Sequence, residues 1–438
     1  MKIAPLSGFP EFLPQDRAVE THILDALRRT FELNGFSGIE TRAVEPLDQL
    51  LRKGETSKEI YMLRRLQGSD HQESELGLHF DLTVPFARYV LENAGKLLFP
   101  FKRYQIQKVW RGERPQDGRF REFVQADVDV VGSSELPAFY DIDVPLTMVD
   151  AFSHLPIPRV VIRLNNRKVA QGFYEAIGAP DTLAVLRVID KLDKIGEAKV
   201  EKELIDDAGL SHQQAQQALR LASIRGTDAS VAERVRDLGV SSPLLDEGLE
   251  ELVTVLEGAN ELIDGSMVAD LSIARGLDYY TGSVYESTLV GHEDLGSICS
   301  GGRYDSLVSD GKHTYPGVGL SIGVSRLVSR LIGRHLVQAS RAVPTVVLVA
   351  VNDESQRRDA TKTAMALRRR GIAADVSPNS AKFGKQIKYA DKRGIPFVWF
   401  TTDEGDQVKD IRSGAQYDAD TATWMPESED LQIRVTAA

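Results

Sequence analysis

Apolar residues recur at helical spacing directly after Pro14. Val19, Ile23, Leu24, Leu27 and Phe31 fall on one stripe, and Gly35 supplies a stop. The spacing predicts an amphipathic helix there, followed by a short strand over residues 36–44. A second helix is predicted over Thr83–Asn93. Residues 99–110 read as extended, 111–121 as a polar, Arg-rich turn, and 123–131 alternate polar and apolar like a strand. Together they predict an antiparallel hairpin with a long basic tip. RVVIRLN at 159–165 is another strand. From about 168 to 262 the chain is rich in Ala, Leu, Glu and Lys and carries helical periodicity, with almost no strand signal. Strands return at about 268–273, 283–290 and 296–300, and a glycine-rich stretch, Gly317–Gly323, enters a helix running to about 334.

The pattern changes after a linker-like stretch at 336–343. TVVLVAV at 345–351 is continuously apolar, as in a strand buried on both faces. A helix (355–370), a strand (372–376), a helix (382–393) and the strand PFVWF (396–400) follow, an alternation that predicts parallel strands in an α/β unit. The expected fold is therefore α+β over residues 1–335, an antiparallel sheet flanked by helices with a helical insertion at about 180–262. A C-terminal α/β domain over 344–438 completes it.

The length agrees with this division, since 438 residues at roughly 150 per domain predict two to four domains. A hydrophobic share of 42% with 27% charged residues is an ordinary soluble mixture. The net charge of −11 marks no overall basic field, yet a local basic patch is enough to hold RNA phosphates. The single cysteine, Cys299, excludes an intramolecular disulfide framework and a Cys-rich zinc site, and it fits a reducing cytoplasm. No apolar run approaches the roughly 18 residues of a membrane span, and the first residues lack the apolar core of a signal peptide. The expectation is a cytoplasmic protein with no membrane partner. The eight histidines show no HExxH or paired ligand spacing, so no metal site of protein ligands alone is expected.

The segment RGERPQDGRFREFVQADVDVVG (111–132) is the richest in candidate chemistry. Arg111, Arg114, Arg119 and Arg121 crowd one stretch, and Asp117-Gly118 supplies turn chemistry. Arginines at a hairpin tip suit bidentate contact with phosphates, although such a loop taken alone is also what a solvated charged turn looks like. Three further segments stand in order behind it: ARGLDYYTGSVYE (274–286), CSGGRYDSLV (299–308) and GVGLSIGVSRL (317–327). Singly, a Tyr-Tyr pair is also a packing feature and a Gly-Gly pair also a turn.

Jointly, the four segments resemble the class II aminoacyl-tRNA synthetases, and specifically the histidyl-tRNA synthetase family. The first resembles motif 2 of that class, the second and third the two histidyl signatures, and the fourth motif 3. HFDLTVPFARYV (79–90) is similar to the family's substrate-binding segment, with Asp81 and Thr83 in place and Arg88 on the following helix. AKFGKQIKYADKRGIPFVW (381–399) resembles its anticodon-binding domain. Motif 1, expected at 16–46, is the poorest match, because Thr41 is followed by Arg42 rather than by proline.

The resemblance implies a catalytic domain of class II synthetase type that activates histidine with ATP and Mg²⁺, without a tightly bound organic cofactor. It then charges tRNA(His), acting as a homodimer. It assigns Arg111 and Arg275 to catalysis, as guanidinium groups on the α-phosphate. Asp81, Thr83, Gln125, Asp129, Tyr279, Tyr280 and Tyr304 are assigned to histidine: Asp81, Thr83 and Gln125 to the α-amino group, Asp129 and Tyr280 to the imidazole, with Tyr304 nearby. Arg111, Glu113, Arg119, Phe123 and Arg326 are assigned to ATP, and Gln116 and Arg119 to the tRNA acceptor end. Asp81 and Asp129 stand where many bacterial members carry Glu. Lys382, Lys385, Lys388, Lys392 and Arg393 form a basic patch suited to RNA, and equally a solvated helix face. A rival of a different class is the synthetase-like regulatory subunit of ATP phosphoribosyltransferase, which shares the catalytic fold without charging tRNA.

Overall fold

The computed structural model describes residues 4–51, 59–65, 75–116, 118–274, 279–402 and 405–438. The chain divides into two compact units, Met1–Pro10 with Ile23–Arg330, and Glu11–His22 with Leu331–Ala438.

The chain opens with α1 (Pro14–Leu33), whose residues up to His22 belong to the second unit and from Ile23 onward to the first. The first unit continues with β1 (Ser37–Gly38), β2 (Val44–Pro46), α2 (Leu47–Leu50), β3 (Leu76–Leu78) and α3 (Thr83–Asn93). The hairpin is present as β4 (Phe101–Trp110) and β5 (Glu122–Val131), paired antiparallel along their whole length. After α4 (Tyr140–Ser153) and β6 (Val160–Asn166) comes the helical run: α5 (Arg167–Ala176), α6 (Thr182–Ile189), α7 (Leu192–Ile195), α8 (Glu197–Asp206) and α9 (His212–Ala222). It continues through β7 (Arg225–Gly226) and α10 (Ser230–Arg236) to α11 (Pro243–Leu262). Local chemistry sets several of these starts. The Asp181 carboxylate accepts from Leu183 N (2.9 Å), Ser211 forms a capping box with Gln214, and Ser242 precedes a proline at the first position of α11.

The chain then returns to the sheet with β8 (Met267–Asp270), β9 (Ser283–Leu289), β10 (Cys299–Tyr304) and β11 (Gly317–Gly323), and α12 (Val324–Gly333) follows. Among the described residues these strands form one nine-stranded sheet, in the order β1-β4-β5-β11-β10-β9-β6-β8-β7. It is mixed rather than purely antiparallel, because β1 runs parallel to β4 and β8 parallel to β6.

Of the strand expected over 36–44, only the two residues of β1 and, at the far end, Val44, which opens β2, are in a ladder. Between them, side chains replace the ladder: Gln107 Nε2 donates to Thr41 O (2.8 Å), and Gln105 Nε2 donates to the Thr41 hydroxyl (2.9 Å). The strand expected at 296–300 lies three residues later, as β10.

In the second unit the linker expected at 336–343 is instead partly a strand, β12 (Val337–Ala339). Its buried Val337 and Ala339 pair it with the C-terminal strand, so it belongs to the folded unit. Then come β13 (Val347–Val349), α13 (Arg357–Arg369), β14 (Ala374–Val376), α14 (Phe383–Arg393), β15 (Phe397–Thr402), β16 (Gly405–Asp410), β17 (Gln416–Asp418) and β18 (Val435–Ala437), which pairs with β12. β14, β13 and β15 are parallel as expected, and β16 and β17 extend the sheet antiparallel. One sheet face packs Val347, Val349 and Trp399 with Ala364 and Leu367 of α13, and the other packs Leu348, Val398 and Phe400 with Ala390 of α14. No helix among the described residues is long and apolar enough to cross a membrane.

Candidate active site

Side chains on a strand alternate between its faces, so Gln125, Asp127 and Asp129 share one face of β5, and Ala126, Val128 and Val130 share the other, fully buried. The register aligns Arg103, Gln105 and Gln107 of β4 opposite Asp129, Asp127 and Gln125. On the other side, Gly319, Ser321 and Gly323 of β11 stand opposite the same three residues. Three central strands thus present a continuous polar surface.

Over this surface lies a cavity of about 120 Å³, lined by Asp81, Thr83, Arg111, Gln125, Asp127, Asp129, Tyr279, Tyr280, Tyr304 and Ser321 among others. Asp81 is positioned by α3, whose Val84 N–H it accepts (3.1 Å). Asp129 accepts from the Tyr304 hydroxyl (2.6 Å) and pairs with the fully buried Arg103 guanidinium (2.6 Å). Arg103 rests on the Phe86 ring at 4.2 Å. Burial and the Asp129 carboxylate beside it push the Tyr304 hydroxyl well above the usual phenol range. Tyr279 donates to the Tyr280 hydroxyl (2.7 Å), and Gln125 Nε2 donates to Ser321 Oγ (2.6 Å). Gly319 keeps the floor open, since a Cβ there would overlap the Asp129 carboxylate.

A second cavity, of about 230 Å³, shares Arg111, Gln125, Ser300 and Ser321 with the first. Phe123 and Arg326 line it, together with Glu113 and Arg119. Arg111 Nε donates to Phe80 O (2.9 Å), and its guanidinium lies 5.2 Å from the centre of the Phe123 ring. Arg326 donates to Leu295 O (3.3 Å). The hairpin tip closes through a bridge between Gln116 and Arg119. Gly118 turns it at φ +68°, with the Arg330 side chain packed where a Cβ would sit.

The structure therefore brings Arg111, Asp81, Thr83, Gln125, Asp129, Tyr279, Tyr280 and Tyr304 around one cavity, and Arg111, Glu113, Arg119, Phe123 and Arg326 around its neighbour. Gln116 lines neither and stands exposed at the tip, beside exposed Arg119. Arg275 and Asp117 lie outside the described residues. Arg88 lines neither cavity and is committed to Glu45 and Glu92, both at 2.7 Å. Cys299 is buried on β10, which pushes its thiol pKa up. In the second unit Lys382, Lys385, Lys388 and Lys392 are exposed along α14, and Arg393 pairs with Asp375 (3.2 Å).

Sequence reasoning passed over Asp127, Arg103 and Ser321. The period-two alternation of β5 was the available signal for Asp127. It also passed over Glu59, whose carboxyl is raised by burial, opposed by Arg111 and reinforced by Glu113. A third cavity in this unit is larger, about 750 Å³. Several of its charged groups pair with one another, Arg163 and Arg225 both reaching Asp270 (2.6 and 2.8 Å). Among the described residues no cluster of three or more His, Cys, Asp or Glu is placed to hold a metal ion.

Residues 8–327 match the Histidyl-tRNA synthetase family, and residues 345–419 match the Anticodon binding domain family. The chain belongs to the histidyl-tRNA synthetase family. It is 58% identical to a histidine–tRNA ligase of Micrococcus luteus, across 99% of each chain. It is 54% identical to that of Cutibacterium acnes, across 98% of each. The crystal structure of the histidyl-tRNA synthetase from Nostoc sp. PCC 7120 superposes with a TM-score of 0.85 at 39% identity, covering 95% of this chain and 96% of that one. The match to this histidyl-tRNA synthetase spans both units, sheet and C-terminal α/β unit alike.

Proposed function

We infer that this chain is a histidine–tRNA ligase. It joins histidine to ATP as histidyl-adenylate with release of pyrophosphate, then passes the histidyl group to the 3′ end of tRNA(His). The carrying observation is a pair of adjoining cavities that share Arg111, one rich in carboxylates and tyrosines, the other edged by an aromatic ring and arginines. The regulatory-subunit alternative is set aside, because full-length relatives sharing more than half of their residues with this chain are ligases.

The first step needs no general base, since the attacking carboxylate is already an anion. The task is to hold two anions in line and to stabilise charge on the phosphoryl oxygens. Arg111, shared by both cavities, reaches the histidine carboxylate and the α-phosphate together. Arg275 approaches that phosphate from the other side, as the resemblance implies. The adenine lies between the Phe123 ring and the Arg326 guanidinium, a stacked arrangement suited to cation–π attraction, and Glu113 meets its edge. Mg²⁺ enters with ATP, held mostly through the phosphates.

Histidine is chosen by polar groups that an apolar amino acid would leave unpaired. Asp81, Thr83 and Gln125 take the α-amino group, and Asp129 with Tyr280 takes the imidazole, beside Tyr304. Gln116 and Arg119 at the exposed hairpin tip meet the acceptor end of tRNA. Residues 1–335 carry this chemistry, with the insertion at about 180–262, and residues 344–438 read the anticodon with α14 on the RNA backbone. The enzyme is a class II synthetase, cytoplasmic and homodimeric.

Histidine-dependent ATP–pyrophosphate exchange, with the other nineteen amino acids as controls, tests the reading. Exchange with histidine alone is the expected outcome. A folded protein that binds histidine without exchange would return the regulatory alternative. Light scattering of the purified enzyme tests the dimer.

A further inference from the structure

Asp127 occupies the middle of the polar face of β5, between Gln125 and Asp129. Same-face neighbours on a strand are about 7 Å apart, so its carboxylate stands between the Arg111 end of the amino-acid cavity and the Asp129–Tyr304 end. It is 2% exposed and lines the cavity. The Ser321 hydroxyl bonds the carboxylate, while Oδ1 has no hydrogen-bond partner among the described residues. A buried carboxylate oxygen without a donor is costly, and folds retain one where something else supplies the donor.

The charged and titratable groups facing Asp127 are Arg103 of β4, Asp129 of β5, Asp81 ahead of α3, Tyr279, and Cys299 of β10. Arg103 is committed to Asp129. Among the described residues, three carboxylates thus share one buried guanidinium, and Arg111 stands at the junction with the neighbouring cavity. The surplus among these groups is negative, which suits a cation.

Resting on the ligase reading, we propose that Asp127 is a further substrate-binding residue whose Oδ1 faces the α-ammonium group of histidine and shares its three N–H donors with Asp81, Thr83 and Gln125. The geometry selects that group. With the substrate carboxylate at Arg111 and the imidazole at Asp129, the α-carbon and its ammonium fall at the level of Asp127. Burial, helped by Asp129 and opposed by Arg103, pushes the empty Asp127 carboxyl up to about 7. An ammonium beside it favours the carboxylate, so binding expels the proton.

Two ligand analogues separate the parts of the substrate. Histamine keeps the ammonium and lacks the carboxylate, whereas imidazole-4-propionate keeps the carboxylate and lacks the ammonium. Calorimetric titration of both, and of histidine, into full-length wild type and Asp127→Asn at pH 7 is the test, in buffers of different ionisation enthalpy. The variant should weaken histidine and histamine by about ten- to a hundredfold and leave imidazole-4-propionate unchanged. In exchange assays KM for histidine should rise while KM for ATP stays. Wild type should release about half a proton more with histamine than with imidazole-4-propionate, a difference the variant loses. Equal weakening of both analogues, or unchanged histidine affinity, overturns the assignment. Should the variant not fold, an absent proton difference in wild type overturns it alone. Loss of the ligase reading would show separately, as wild-type protein that gives no histidine-dependent exchange.

Discussion

β5 and β15 are both central strands, each with a paired neighbour on either side, yet they carry opposite chemistry. β15 is apolar on both faces, Phe397 and Trp399 turning to one side and Val398 and Phe400 to the other. β5 is apolar on one face only, and its other face holds Gln125, Asp127 and Asp129, all buried. Central position does not set polarity. A strand clamped between two helices must be apolar twice over, whereas a strand that floors a cavity is free to present charge, provided its neighbours satisfy it. One strand is scaffold and the other is site, and substitutions should separate them.

The largest effect should come from the scaffold. Trp399→Ala removes a fully buried ring packed edge-on to Trp424 at 5.6 Å. It should cost the C-terminal unit about 3–5 kcal/mol. Thermal melting should show that loss, with tRNA charging impaired and pyrophosphate exchange spared. If exchange falls as far as charging, the separation of scaffold from site fails.

The converse belongs to the site. Arg111→Gln should lower exchange by about 10²–10³, equivalent to about 3–4 kcal/mol, with the melting curve unmoved. Arg275→His should do the same on the strength of the family signature. Wild-type-like exchange in either variant removes that arginine from the chemistry.

A smaller effect shows what a charged floor does to stability. The folded Asp127 carboxyl is raised from 3.8 to about 7, so between those values the folded state holds more protons than the unfolded one. Stability from this group therefore falls as pH rises through that window. Without ligand, Asp127→Asn should melt higher than wild type at pH 8, with the difference shrinking toward pH 5. A pH-independent difference would mean that Asp127 is not raised in the folded protein. The smallest effect is expected on α14, where Lys385→Ala with Lys388→Ala should lower the salt dependence of tRNA binding by about one unit of slope for each phosphate no longer neutralised. Pyrophosphate exchange should not change, and an unaltered salt slope would make α14 a solvated face.

Much of this is legible in the amino-acid sequence. The helix from Pro14, the helix over Thr83–Asn93 and the hairpin followed from periodicity, because each is set by neighbours within a few residues. Many of the residues lining the two cavities, among them Arg111, Gln125, Asp129 and Tyr304, came from motifs, because the family signatures carry them in order. Less accessible were the features that distant strands decide. β12 looked like a linker because its partner, β18, lies about a hundred residues away in sequence. Thr41 falls within an expected strand, but glutamine side chains from β4 take the place of a ladder there. Asp127 was passed over between two motif positions, although the same alternation that placed Gln125 and Asp129 placed it too.

The chain by itself determined most of the elements and the family, since both rest on local pattern and ordered motifs. Register and closure were decided only in three dimensions. Pairing β5 with β4 and β11 is what sets Asp129 against Arg103, opens the floor at Gly319 and leaves Asp127 facing a cavity with one oxygen unsatisfied among the described residues. A shift of one residue would turn that whole face inward to the core. Local periodicity cannot choose between the two, because it is identical in both, and only the burial of the opposite face decides.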